Sequence, residues 1–356
     1  MKKALTLIFG LVFLLAAGAS TNAQQTEWKT LNSELEALYR LGQYERAVPL
    51  AKQALEVAER NAGPDHPFVA KSLNNLAAIY SALGQYTLAE PLYKRSLAIT
   101  EKAVGPNGPD MATSLNNLAL LYDSQGQYTL AESLYMRSLT IAVKTLGPDH
   151  PNVGTSLNNL AALYDSQGEY ALAEPLYIRS LAITEKALGR DHPNVGASLN
   201  NLALLYFTEG QYALAEPIYK RALAIAEDAL GPDHPNVATS LYNLAMLYEV
   251  QGRYAQAEPL YRRALTIRET ALGPDHPIVA ASLNNLAMLS EVQGQYAQAE
   301  PLYKRALAIS TKALSPNLPF MASVLKNMAR LYRKTGRETE AEAIEKRAAA
   351  IGARVQ

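Results

Sequence analysis

A unit of 42 residues recurs through nearly the whole chain, and that period limits what the chain can fold into. The loop Gly-Pro-Asp-His-Pro stands at 63–67, 147–151, 231–235 and 273–277, and variants of it begin at Gly105, Gly189 and Ser315, each 42 residues from its neighbour. A fixed period in this range belongs to solenoids and arrays, in which each unit buries its apolar face only against the next. Such a chain works as an extended surface and not as a pocket around a reactive centre.

Hydrophobic residues make up 49% of the 356 residues, which suffices for a packed core and excludes a disordered chain. The 33 basic and 33 acidic groups cancel, so the chain lacks the electrostatic footprint of a nucleic-acid binder. Residues 1–23 read as a secretory signal. Lys2 and Lys3 give it a charged start, residues 4–17 form an apolar stretch too short to span a bilayer comfortably, and Thr21 and Ala23 suit a cleavage site before Gln24. A cut after Ala19 and an uncleaved anchor are the alternatives. Without cysteine there is neither a disulfide nor a lipoprotein attachment site, so packing alone must hold the fold in an oxidising compartment. The expected location is the periplasm of a bacterium or the medium outside it, with no membrane span once the signal is cleaved.

Within one unit, Leu73, Leu76, Ala77 and Tyr80 fall at helical spacing, and so do Ala89, Leu92, Tyr93, Ser96, Leu97 and Ile99. Gly84 and Gln85 separate the two patterns. Gly105 closes the second, where a left-handed residue costs glycine little. Pro67 suits the first turn of the next helix, with Asp65 or His66 as its N-cap. Each unit is therefore two antiparallel helices, A and B. A turn glycine recurs eight times from Gly42 to Gly336, and a small residue early in helix B recurs eight times from Ala47 to Ala341. That alanine lets A and B approach, and a larger side chain there would overpack the contact. Three further columns hold 19 of the 21 tyrosines. An aromatic fixed in every repeat belongs to the core, although its hydroxyl can reach a partner at the rim. Proline recurs inside helix B at Pro49, Pro91, Pro175, Pro217, Pro259 and Pro301, where it removes a backbone donor and should bend the helix slightly.

The unit reads Ser72-Leu73-Asn74-Asn75-Leu76-Ala77, then Gly84-Gln85-Tyr86, then Ala89-Glu90-Pro91-Leu92-Tyr93. It resembles the tetratricopeptide repeat, in the 42-residue form of kinesin light chains, over about residues 26–351. The resemblance implies an all-α fold: a right-handed α-solenoid of about eight antiparallel helix pairs. Its divisions are the signal (1–23), a divergent helix pair (24–63), six repeats (64–315) and a C-terminal capping pair (316–356). The last helix, 338–349, is strongly charged, as a solenoid end with one neighbour requires.

Helix A carries an asparagine pair where a packed helix could be apolar. The second member is Asn75, Asn117, Asn159, Asn201, Asn243, Asn285 and Asn327; the first is Asn74, Asn116, Asn158, Asn200 and Asn284, with Tyr242 and Lys326 as exceptions. Asparagine is worse than alanine in a helix by about half a kcal/mol or more, so twelve such residues need a reason. In proteins the chain resembles, helix A lines a concave surface where asparagines hold an extended peptide. The chemistry fits, because one amide offers an acceptor and two donors and can bind a peptide group without reading its side chain. The competing reading is that the second member bonds to the adjacent helix within the array. Neighbouring groove positions run from Ala78 through Leu120, Ala162, Leu204, Met246 and Met288 to Arg330, bordered by Asp123, Asp165, Phe207, Glu249 and Glu291. In the last unit Lys326, Arg330 and Lys334 share one helical face. They could hold a carboxylate or an acidic segment, or form a solvated end cap.

The five histidines lie one per unit in the loops, too far apart to converge on zinc. No phosphate loop, nucleophile elbow or His-Glu-x-x-His run is present. The sequence thus points to a non-enzymatic, monomeric scaffold without cofactor or metal, whose partner is an unknown protein or extended peptide and not nucleic acid. A self-assembling envelope array, and a hydrolase or carbohydrate-active protein, are the alternatives.

Overall fold

The computed structural model describes residues 22–312 and 318–352, so residues 1–21 of the expected signal lie outside the described residues. The helices alternate A and B. They are α1 (Asn22–Arg40), α2 (Tyr44–Ala62), α3 (Pro67–Ala82), α4 (Tyr86–Val104), α5 (Pro109–Ser124), α6 (Tyr128–Leu146), α7 (Pro151–Gln167) and α8 (Tyr170–Leu188). They continue with α9 (Pro193–Thr208), α10 (Tyr212–Leu230), α11 (Pro235–Val250), α12 (Tyr254–Leu272), α13 (Pro277–Val292), α14 (Tyr296–Lys312), α15 (Leu318–Lys334) and α16 (Glu338–Gly352). Among the described residues there is no strand.

The chain forms two compact units, Met1–Leu205 and Tyr206–Gln356. In the first, α1·α2, α3·α4, α5·α6 and α7·α8 pack as hairpins, and α2, α4 and α6 pack on the A helices that follow them, α3, α5 and α7. The A helices also touch across repeats, α3 on α5 and α5 on α7. In the second unit α11·α12, α13·α14 and α15·α16 pair in the same way, and α13 touches α15. The B helices are instead bridged by long side chains. Arg95 donates to Glu59 at 2.7 Å, and Arg263 and Arg305 hold Glu227 and Glu269 in the same manner. Within each unit the A helices therefore form the crowded inner side.

Local chemistry fixes the helix ends. His66, His150, His234 and His276 are the N-caps of α3, α7, α11 and α13, and proline follows at the first helical position. In each, Nδ1 accepts the backbone N–H two residues on, as in Asn152 to His150 at 3.2 Å, which satisfies one of the helix's orphan donors. The cap is thus the histidine and not the preceding aspartate. Gly105 has φ 76° and ψ 169°, so helix B does not end in a left-handed helical residue. It ends in the mirror-extended region that only glycine enters readily. The helix A turn does use the left-handed helical form, as Gly168 shows with φ 78° and ψ 12°.

The small-residue column packs as expected: Ala89, Ala131, Ala173, Ala215, Ala257 and Ala299 are fully buried between A and B. Tyr93, Tyr135, Tyr177, Tyr219, Tyr261 and Tyr303 are buried beside them. One turn further on, Ser96, Ser138 and Ser180 donate to the backbone carbonyls of Ala70, Ala112 and Gly154 at 2.7–2.8 Å. This removes the cost of burying a hydroxyl. The exposed prolines of helix B leave each helix continuous.

Candidate peptide-binding face

The asparagine pairs lie on the inner A helices: Asn74 and Asn75 on α3, Asn116 and Asn117 on α5, Asn158 and Asn159 on α7, Asn200 and Asn201 on α9, Asn243 on α11, Asn284 and Asn285 on α13, and Asn327 on α15. Asn116, Asn284 and Asn327 are buried and the others half-buried. Several of them bond to one another between helices. Asn75 Nδ2 donates to Asn32 Oδ1 at 2.7 Å, Asn201 to Asn158 at 2.9 Å and Asn327 to Asn284 at 3.1 Å, and Asn285 donates to the Tyr242 hydroxyl. Each bond joins the second member of one pair to the first member of the pair before it. The result is a ladder of side-chain amides along the A helices, with each rung satisfying two polar groups that packing has desolvated.

Two rungs of the first unit are open. The regular pattern would join Asn117 to Asn74 and Asn159 to Asn116. Among the described residues no side-chain bond involves Asn117 or Asn159, and Asn74 Oδ1 and Asn116 Oδ1 are buried acceptors without a partner. Asn116 instead turns its Nδ2 to Ser156 Oγ at 2.9 Å. An orphaned buried carbonyl costs about 1–3 kcal/mol, and here two occur on neighbouring helices beside two unspent amides.

Behind the asparagines, Tyr135, Tyr177, Tyr261 and Tyr303 of the B helices each face an acid of their own helix A. Tyr261 donates to Glu249 at 2.7 Å and Tyr303 to Glu291 at 3.0 Å. The Asp123 charge adds to burial in raising the ionisation of Tyr135. Glu249 and Glu291 then diverge. Burial pushes the Glu249 carboxyl up despite the Tyr261 bond. Burial raises Glu291 as well, but hydrogen bonds from Arg330, Lys334 and Tyr303 outweigh it and leave the group below its ordinary range. Arg330 Nε and Nη2 lie 2.8 and 3.0 Å from the Glu291 carboxylate and Lys334 Nζ 3.1 Å. The basic face of α15 thus already holds a carboxylate, the chain's own, and of its three cations only Lys326 has no ion pair among the described residues. One cation escaped the sequence reading. Arg268 occupies a column held elsewhere by Ala58, Thr100, Ala142, Thr184, Ala226 and Ser310, and comparing that column across the repeats would have exposed it.

The model of the tetratricopeptide repeat matches seven overlapping segments: residues 36–102, 68–142, 110–186, 166–228, 197–270, 237–291 and 279–353. The chain belongs to the tetratricopeptide repeat family. The search of curated proteins gave no match. Among solved structures, this tetratricopeptide chain is similar to BtubC (BKLC) from P. vanneervenii, at 23% identity over 71% of this chain and 94% of that one, TM-score 0.51. It is also similar to a kinesin light chain with nearly identical repeats from Podosopora anserina, at 30% identity over 58% and 97%, TM-score 0.49. A Rap protein complexed with competence and sporulation factor matches at 14% identity over 93% and 98%, TM-score 0.56. Among the described residues of the tetratricopeptide array, no helix is long and apolar enough to cross a membrane, and no cluster of three or more His, Asp or Glu could hold a metal.

Proposed function

We propose that the chain is a non-enzymatic scaffold that binds an extended segment of another protein along the A helices of its first unit. The open rungs of the asparagine ladder carry this reading. Asn74 Oδ1 and Asn116 Oδ1 need donors, Asn117 and Asn159 offer both donors and acceptors, and a peptide backbone supplies both. Packed helices stand about 8–10 Å apart and an extended strand rises about 3.3 Å per residue, so each rung meets about every third residue of the strand. Tetratricopeptide proteins bind peptides or proteins, and the Rap protein of similar fold is complexed with competence and sporulation factor.

The test is selection of random peptides on the full chain, followed by affinities for variants. Asn117→Ala with Asn159→Ala removes two hydrogen bonds to ligand and should weaken binding about 5- to 150-fold, at about 0.5–1.5 kcal/mol for each bond. Asn201→Ala breaks a closed rung and should lower stability more than affinity. Equal affinity for the wild type and the Asn117/Asn159 variant would sink the proposal. By the same reasoning from residues 1–23, the protein works in the periplasm or beyond it. Mass spectrometry of the N-terminus should find Gln24 first, and an intact Met1 would count against export with cleavage.

A further inference from the structure

On the outer side of the first unit, α6 and α8 lose charges that their sister helices keep. Met136 and Ile178 stand where α4, α10, α12 and α14 have Lys94, Lys220, Arg262 and Lys304, and Val143 stands where α2, α4, α10 and α12 have Glu59, Glu101, Glu227 and Glu269. Each lost charge leaves a partner behind. Lys94 pairs with Glu90 at 2.7 Å, and Lys220, Arg262 and Lys304 pair likewise with the acid one turn back. Glu132, one turn before Met136, accepts only the Tyr164 hydroxyl at 2.6 Å, and Glu169 adds a second negative charge near that hydroxyl. Arg95, Arg137, Arg263 and Arg305 pair with the four glutamates, whereas their sister Arg179 has Val143 in that place. Among the described residues neither Glu132 nor Arg179 has an ion pair. Asp149, which senses the Arg179 charge, is itself bonded to Lys186. The same face carries Leu130, Met136, Leu172 and Ile178, each about half exposed. On α12 and α14 Arg262 reaches Gln298 at 3.3 Å, and the equivalent columns set Met136 beside Leu172. A cluster of apolar side chains on an otherwise charged surface marks a site of association.

We propose that this outer face of α6 and α8 is the contact between two copies of the chain, related by a twofold axis. A twofold contact uses the same patch on both sides, so the patch must complement itself. This one does, since it holds an acid without a cation, a cation without an acid, and apolar side chains with them. Arg179 of one copy takes the place beside Glu132 of the other that Lys94 takes beside Glu90, and the reciprocal pair forms at the same time. Met136, Leu172 and Ile178 are covered by the same contact. A purely acidic or purely basic partner would satisfy one end of the patch and leave the other unpaired. The face is also large enough. With α4 it spans three helices of 19 residues, each about 28 Å long and about 10 Å from the next. That is roughly 800 Å², the area one partner of a stable complex buries. The contact uses B helices, so it leaves the A helices free and does not depend on the open rungs. It sets a dimer in place of the monomer expected from the sequence.

The experiment is sedimentation equilibrium of the full chain over a range of concentrations, with a thermal melt of each variant to check its fold. The wild type should show a reversible equilibrium between monomer and dimer that stops at the dimer. Met136→Lys with Ile178→Lys gives α6 and α8 the residue that Lys94, Lys220 and Lys304 already supply in sister helices, so this variant should fold. It should weaken dimerisation by about tenfold or more, because it sets charges in the centre of the contact. Glu132→Arg and Arg179→Glu each oppose like charges at both ends of the patch, and each alone should weaken dimerisation by about tenfold or more. Mixed in equal amounts, these two single variants should pair with each other about as tightly as the wild type, which a misfolded helix could not do. A chain that stays monomeric at every concentration leaves the face to a different partner and overturns the proposal. An association that the lysine variant leaves unchanged, a mixture that stays monomeric, or growth beyond the dimer overturns it as well.

Discussion

Replacing Glu291 with glutamine should loosen the C-terminal end of the array and little else. The carboxylate is 1% exposed and takes four contacts, from Arg330 at 2.8 and 3.0 Å, Lys334 at 3.1 Å and Tyr303 at 3.0 Å. Removing one partner of a buried charge network costs about 3–5 kcal/mol. Arg330 and Lys334 are 47% and 42% exposed, so water recovers part of their solvation and the expected loss is about 2–3 kcal/mol. That is roughly a 30- to 150-fold increase in local opening. In an array each repeat depends mainly on its neighbours, so the change should be confined to α13–α16. Amide hydrogen exchange under native conditions resolves it helix by helix. Faster exchange in α15 and α16 with unchanged exchange in α3–α8 is the expected pattern. Unchanged exchange in α15, or a uniform increase along the whole chain, would refute the claim that Glu291 ties the cap to the array.

Three further perturbations test the local physics. Gly105→Ala should destabilise by about 1–3 kcal/mol in a denaturant titration, since an added Cβ meets no atom within 4 Å and the penalty comes from the positive φ alone. Ala131→Leu should cost about 1–3 kcal/mol by overpacking the closed contact between α5 and α6, and a neutral result would deny that the alanine column sets their spacing. His234 caps α11 through an unprotonated Nδ1, and burial lowers its pKa from 6.5. Its stabilisation is therefore complete above about pH 6.5 and is lost as pH falls through the lower folded value. His234→Asn keeps a capping acceptor and should show a smaller fall in melting temperature than wild type between pH 7.5 and 5.

The helices, their pairing and the closed alanine column were legible in the sequence because each depends on residues close in the chain or repeated at one spacing. The function of the asparagine columns was not. A side-chain amide can bond equally well to a sister amide or to a ligand, and only the distances separate Asn75 and Asn201, spent on rungs, from Asn117 and Asn159. The basic face of α15 was visible as Lys326, Arg330 and Lys334, but its occupant comes from α13, and no local spacing links the two. The histidine caps were narrowed to two residues, and the choice between them depended on which side chain reached the N–H of the second helical residue. Arg268 was readable as the one large residue in a column of small ones. Its stacking on the Tyr242 ring, 4.6 Å from the guanidinium carbon to the ring centre, depends on how α11 and α12 pack and no local spacing gives it.

The central claim is that the open rungs are completed by a peptide backbone. A crystal structure of the full chain with a selected peptide tests it most directly. The account predicts backbone N–H groups of the peptide within hydrogen-bond distance of Asn74 Oδ1 or Asn116 Oδ1, and the amides of Asn117 and Asn159 bonded to peptide groups about three residues apart. A peptide seated on the B helices or in the loops, with Asn117 and Asn159 untouched, would contradict it.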